Sequence, residues 1–170
     1  ITHTVFITED VLLYLFSWTK AGAVIFDLNI DPTNPQYLGI TSSEYIHDGF
    51  VKNDTLWASN VYQGYISVWD IKNPSLPIKI TQFYTPGKFT HNSWLSDNHQ
   101  TLFTADEKTA TSIAAFDVSD LTDIQLIDEF KIRPTEQAIP HNIHVYNDFL
   151  VLSHYTEGVV IADASDPNNI

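Results

Sequence analysis

The sequence contains no cysteine, so it offers neither a disulfide framework nor a thiolate metal site, and thiol usage says nothing of its redox compartment. It is also poor in basic residues. Lys and Arg number 8 against 21 Asp and Glu, giving a formal net charge of −13, and no basic cluster occurs along the chain. Phosphate recognition needs clustered cations, so nucleic acid is excluded as an expected partner. The same charge repels anionic lipid surfaces and draws cations only loosely. Long apolar runs are missing too: the longest, residues 11–16, falls far short of the roughly 20 residues that span a bilayer, and no membrane insertion is expected in this segment. No Ser nucleophile elbow, Gly-rich phosphate loop or His-Glu helix motif is present, which weighs against an enzyme without excluding one assembled from separated segments. No signal-peptide pattern follows Ile1, and the chain reads as a fragment of a longer protein.

What the chain does have is a repeat. Hydrophobic residues make up 44% and charged residues 17%, which places it among globular proteins. Four segments align on His3-Thr4, His47-Asp48, His91-Asn92 and His141-Asn142, at spacings of 44, 44 and 50 residues. Each then runs to an apolar stretch ending in Asp27, Asp70, Asp117 or Asp163, at distances of 24, 23, 26 and 22 residues from its histidine. A turn rich in Asp, Asn and Pro follows, as in Asp31-Pro32, Lys72-Asn73-Pro74, Ser119-Asp120 and Ser165-Asp166-Pro167. In such turns the short polar side chain bonds nearby backbone amides, so solvated turns are expected rather than calcium loops, whose spacing no repeat carries.

The runs between these landmarks, such as Thr55-Leu56-Trp57-Ala58 and Phe149-Leu150-Val151-Leu152, are short and rich in β-branched and aromatic residues and read as strands. Four strands in a period of about 45 residues is the pattern of a β-propeller blade. The expectation is therefore an all-β chain of propeller blades, four antiparallel repeats at about 1–44, 45–88, 89–138 and 139–170, with fifteen strands because the last repeat stops before its fourth. Asn53-Asp54 and Asn147-Asp148 should form tight hairpins between first and second strands. Trp57, Trp69, Trp94, Tyr62 and Phe116 are expected in the core, and Trp18 near a loop.

In combination, the segments Gly64 to Pro74, Gly158 to Pro167, Thr90-His91-Asn92-Ser93-Trp94-Leu95 and Pro140-His141-Asn142 resemble the LVIVD-repeat proteins, in particular the choice-of-anchor B group. The third repeat departs from that pattern, with Thr111-Ser112 in place of the glycine and Leu121 in place of the proline. The resemblance implies a propeller body exported to the cell surface or secreted, and it supplies no established reaction.

Function is expected where first strands begin and second strands end, because strands alternate direction and both sets of termini share one end of each sheet. This gathers His47, His91 and His141 with Asp48, Asp106 and Glu107 as candidate ligands of a divalent metal ion; imidazole with carboxylate suits zinc, manganese or a similar ion. The competing reading is that a histidine recurring in every repeat brackets the repeat. No cofactor is otherwise implied. Two functions stay open: a non-catalytic module binding an extracellular protein or glycan, and a metal-dependent hydrolase or lyase using these groups.

Overall fold

The computed structural model describes residues 2–16, 22–132 and 137–170; Trp18 lies outside them. Among the described residues there are fifteen strands and no helix. The first sheet holds β1 (Val5–Ile7), β2 (Leu12–Leu15), β3 (Val24–Asp27) and β4 (Gln36–Ile40). The second holds β5 (Asp48–Lys52), β6 (Thr55–Asn60), β7 (Tyr65–Asp70) and β8 (Ile78–Tyr84). The third holds β9 (Thr90–Leu95), β10 (Thr101–Asp106), β11 (Ile113–Asp117) and β12 (Gln125–Phe130), and the fourth β13 (Pro140–Tyr146), β14 (Phe149–His154) and β15 (Gly158–Asp163). Every sheet is ordered as its strands occur in the chain. Each repeat is thus a meander, the blade pattern.

Turn chemistry fixes the register. Asn53 and Asp54 both have positive φ, 49° and 56°, and Asn147 and Asp148 have 48° and 62°. Two left-handed residues in succession make the two-residue hairpin whose twist matches that of the strands it joins, and Asn and Asp tolerate that conformation best after Gly. The apolar run's terminal Asp closes a second kind of turn. Asp70 Oδ1 accepts from the Lys72 amide, Asp117 Oδ1 from Ser119 and Asp163 Oδ1 from Ser165, at 2.9, 2.9 and 3.0 Å. A few residues on, Asn73, Asp120 and Asp166 do the same for Ser75, Thr122 and Asn168. These side chains are spent on backbone amides.

The chain divides into two compact units, residues 1–60 with 66–82, and residues 61–65 with 83–170. The first has a core of Tyr14, Phe16, Ile25, Ile46, Leu56, Trp69 and neighbours. The second packs Phe103, Ile113, Ile143, Leu150 and Leu152. Strands β6 and β10 are buried along nearly their whole length, whereas β14 alternates exposed and buried residues. A strand covered on both faces reads as a continuous apolar run, and one covered on a single face reads with period two. Trp57, Trp69 and Phe116 are buried as expected, but Tyr62 is 73% exposed, because it sits in the turn after β6 rather than on a strand.

Candidate functional site

Within the second unit, His91 and His141 occupy the second position of β9 and of β13. Equal register in successive repeats brings like residues to a common level, and their rings lie 4.1 Å apart between centroids, tilted by 41°. The two sheets are clasped so that this level is fixed. Asn92 Oδ1 accepts from the Ile143 amide at 2.8 Å, and the Trp94 and His144 rings meet at 4.4 Å between centroids, tilted by 52°. His144 itself stays exposed, touching the neighbouring sheet through that ring contact.

Glu107 follows the last residue of β10. Its amide donates to the Phe89 carbonyl at 3.1 Å, and its carboxylate reaches both histidines: Oε2 lies 3.5 Å from His91 Nε2, and Oε1 lies 3.7 Å from His141 Nε2. Ligand atoms of the three residues all fall within 4.8 Å of one another. His91 is buried; the His141 and Glu107 side chains are 33% and 23% exposed, so the cluster is reachable from one side. Tyr155, at the same repeat position as Glu107, donates its hydroxyl to Glu107 Oε1 and meets the His141 ring edge-on at 5.5 Å. That hydrogen bond raises the Tyr155 phenol above its ordinary pKa, because the carboxylate accepts from the neutral form and repels the ionised one.

Asp106, next to Glu107 in the chain, points elsewhere. Its buried carboxylate accepts from Thr85 Oγ1 at 2.6 Å, the Gly87 amide at 2.8 Å and the Phe89 amide at 2.8 Å, pinning the segment that leads into β9. The register of β10 against β9 shifts between Ala105 and Asp106, which pair with Asn92 and Thr90 and leave His91 as the extra residue of a β-bulge. Asp106 ends β10 as Asn60 ends β6, and Asn60 likewise holds its incoming segment, donating to the Tyr45 carbonyl at 3.1 Å. The place of Asp106 in the expected ligand set is filled by this structural role.

His47 and Asp48 lie in the first unit. His47 stacks against His3 at 4.7 Å and faces the Tyr45 hydroxyl through Nδ1 at 3.3 Å. Asp48 is buried, with Oδ1 accepting from the Gly49 amide at 2.7 Å. Of the six expected ligands, the described structure brings together His91, His141 and Glu107, and it adds Tyr155. The signal for Tyr155 was its repeat position, one residue past the end of the second strand. A crevice beside His154, lined by Thr111, Ile113, Phe130 and Ala138, has a volume of about 10 Å³, room for one water and no more.

No protein-family model matches the sequence, and no curated protein does. Solved structures do. A candidate 6-phosphogluconolactonase from Bacteroides uniformis superposes with a TM-score of 0.79 over 99% of this chain and 52% of its own, at 12% identity. The periplasmic gluconolactonase PpgL of Pseudomonas aeruginosa gives 0.69 over 90% and 50%, at 9% identity. The β-propeller domain of Cps50 (Swd1) from Myceliophteria thermophila gives 0.73 over 97% and 54%, at 12% identity. The chain spans about half the length of these neighbours, and identities this low carry the fold alone: the chain is a set of β-propeller blades.

Proposed function

We propose that the chain is part of the propeller body of an exported, LVIVD-type surface protein, a binding module that takes an extracellular protein or glycan at the end of the blades bearing His91, Glu107, His141 and Tyr155. The observation that carries this reading is the convergence of these four side chains from two successive blades onto one side that solvent reaches. Aromatic rings with a polar tip and an imidazole edge supply stacking and directional hydrogen bonds together, the composition of a recognition surface. The serine-elbow, phosphate-loop and His-Glu motifs of hydrolases and phosphate-binding enzymes are absent from the sequence, which favours binding over turnover.

The test is an array of glycans and extracellular-matrix proteins probed with the full chain and with His141→Ala and Tyr155→Ala. Binding to one ligand class, lost in both variants while their thermal unfolding stays near wild type, is the expected result. Binding unchanged in both variants overturns the placement of the surface. Hydrolysis of sugar lactones or esters, abolished by His91→Ala, overturns the binding reading and installs an enzyme.

A further inference from the structure

We propose that His91, Glu107 and His141 bind one divalent ion of the zinc class through the two Nε2 atoms and one carboxylate oxygen, leaving a coordination position open on the exposed side. This deepens the binding reading above and rests on it for the purpose of the open position, which would take a donor from the ligand.

The donor set selects the ion. Imidazole nitrogens suit zinc, cobalt and nickel, whereas calcium and magnesium demand shells built almost wholly of oxygen. Bonds of about 2.0–2.1 Å at tetrahedral angles put neighbouring ligand atoms about 3.4 Å apart. Glu107 Oε2 stands 3.5 Å from His91 Nε2, and one ligand atom from each of the three residues falls within 4.8 Å of the others, so a contraction of at most about 1.4 Å closes the set around an ion. Three protein ligands with one open position is the arrangement of zinc sites that engage a further molecule, while closed sites of four protein ligands are structural.

The ligands are held from behind. His91 and His141 sit on strands tied by the Asn92 bond to Ile143. Glu107 is anchored by its own amide on Phe89, and Thr111 Oγ1 secures the turn by donating to the Asp106 carbonyl at 2.6 Å. Tyr155 is anchored by its amide on the Ile139 carbonyl at 3.1 Å and fixes Glu107 through Oε1, which leaves Oε2 directed at His91. An outer partner of this kind orients a ligating carboxylate, and Tyr155 is assigned here as a positioning residue. The ionisable neighbours of these residues in the chain are Asp106 and Lys108 on either side of Glu107, and the buried His154 and Glu157 near Tyr155.

The competing account is an ion pair between Glu107 and a protonated histidine, which needs no metal. Calorimetry of zinc binding and visible spectroscopy of bound cobalt separate the two, using full chain stripped with a chelator. One equivalent of zinc is expected at pH 7.5, with cobalt giving the intense bands of a low-coordinate nitrogen and oxygen shell. Affinity should fall by about 100-fold or more in His141→Ala and in Glu107→Gln, and by about 10-fold in Tyr155→Phe, where only the outer partner is lost. It should also fall at pH 5.5, since imidazole binds metal only when neutral. His91→Ala removes a buried ring, so His141→Ala and Glu107→Gln carry the test if that variant unfolds.

Equal binding in His141→Ala, Glu107→Gln and wild type marks adsorption to acidic surface and overturns the site, as does the absence of a stoichiometric heat. Loss of array binding in Tyr155→Ala without any zinc heat leaves the binding module standing and removes the metal. Zinc binding without any array ligand does the reverse.

Discussion

The two units build the same end of the blade with different chemistry. In the first, the histidine pair His3 and His47 is faced by a neutral phenol, Tyr45, and the incoming segment is held by a neutral amide, Asn60. In the second, the pair His91 and His141 is faced by the Glu107 carboxylate, and the incoming segment is held by the Asp106 carboxylate. The histidine recurs with the repeat, as a bracket would. The acidic residue beside it does not: the position of Glu107 is Val61 in the second repeat and Tyr155 in the fourth. A repeat supplies the scaffold, and one substitution in a turn converts two bracketing rings into a set of metal-ligand geometry.

The largest way to break this comparison is to exchange the two brackets. Asp106→Asn can keep an oxygen for the Thr85 hydroxyl and the Phe89 amide but turns N–H₂ toward the Gly87 amide, and an expected loss of about 2–3 kcal/mol in urea unfolding follows from that unpaired donor and the lost charge. Asn60→Asp should cost a similar amount, because a carboxylate would face the Tyr45 carbonyl. A loss under about 0.5 kcal/mol in either would mean that the brackets are not charge-matched.

A second comparison uses one turn in both units. Gly22 and Gly158 both adopt positive φ, 74° and 75°, at the entry to the third strand, Gly22 just before β3 and Gly158 as the first residue of β15. A Cβ at Gly22 would collide with the Ser42 carbonyl and come within 2.8 Å of Ile40, while at Gly158 it would meet nothing. Gly22→Ala should therefore cost about 2–3 kcal/mol and Gly158→Ala only the left-handed strain of about 1 kcal/mol, measured as shifts in unfolding midpoint. Equal losses would show that strain alone governs this turn.

Tyr14 sharpens the contrast between cores. It is fully buried in the first unit and its hydroxyl has no partner among the described residues; burial, with Asp10 and Asp54 nearby, raises its pKa. Tyr14→Phe should leave stability within about 1 kcal/mol of wild type or increase it, since an unsatisfied hydroxyl is removed. A clear loss would reveal a partner.

The smallest effect concerns pH. Asp31, Asp117, Asp120 and Asp163 have pKa values below the ordinary carboxylate value, through side-chain and backbone hydrogen bonds from Thr33, Ser119, Thr122 and Ser165. A depressed folded pKa contributes stability that is complete above the unfolded value and fades as pH falls through the folded one. The melting temperature should thus decline only below about pH 4 from these groups, and modestly, since all four are exposed to solvent. Decline between pH 7 and 5 would have to come from other groups.

Much of the fold was legible because the repeat writes its turns in residues with fixed roles. Asn53-Asp54 and Asn147-Asp148 announced their hairpins, and the Asp ending each apolar run announced the turn after it. Register then followed, placing His91 and His141 at one level. What the sequence could not separate was Asp106 from Glu107. Both stand where β10 runs out, and the difference lies in long-range partners that no local signal marks: Thr85, Gly87 and Phe89 take up the Asp106 carboxylate, while Glu107, one residue beyond the strand, faces the histidines. Tyr62 was misplaced for a related reason: an aromatic residue one step beyond a strand resembles one within it.

The paired turns also account for the chain's acidity. Asp outnumbers Glu by 15 to 6, an imbalance that solvation alone does not require. A side chain one methylene longer does not close the ring onto an amide two residues ahead, so the turns recruit Asp and the charge comes along with the shape. Asn73 already performs this duty without charge. Replacing the seven aspartates at Asp27, Asp31, Asp70, Asp117, Asp120, Asp163 and Asp166 by asparagine would roughly halve the net charge of −13 and leave every turn with its acceptor. The low isoelectric point of this chain is to that extent a by-product of how its blades turn their corners, and a poor guide to what it meets.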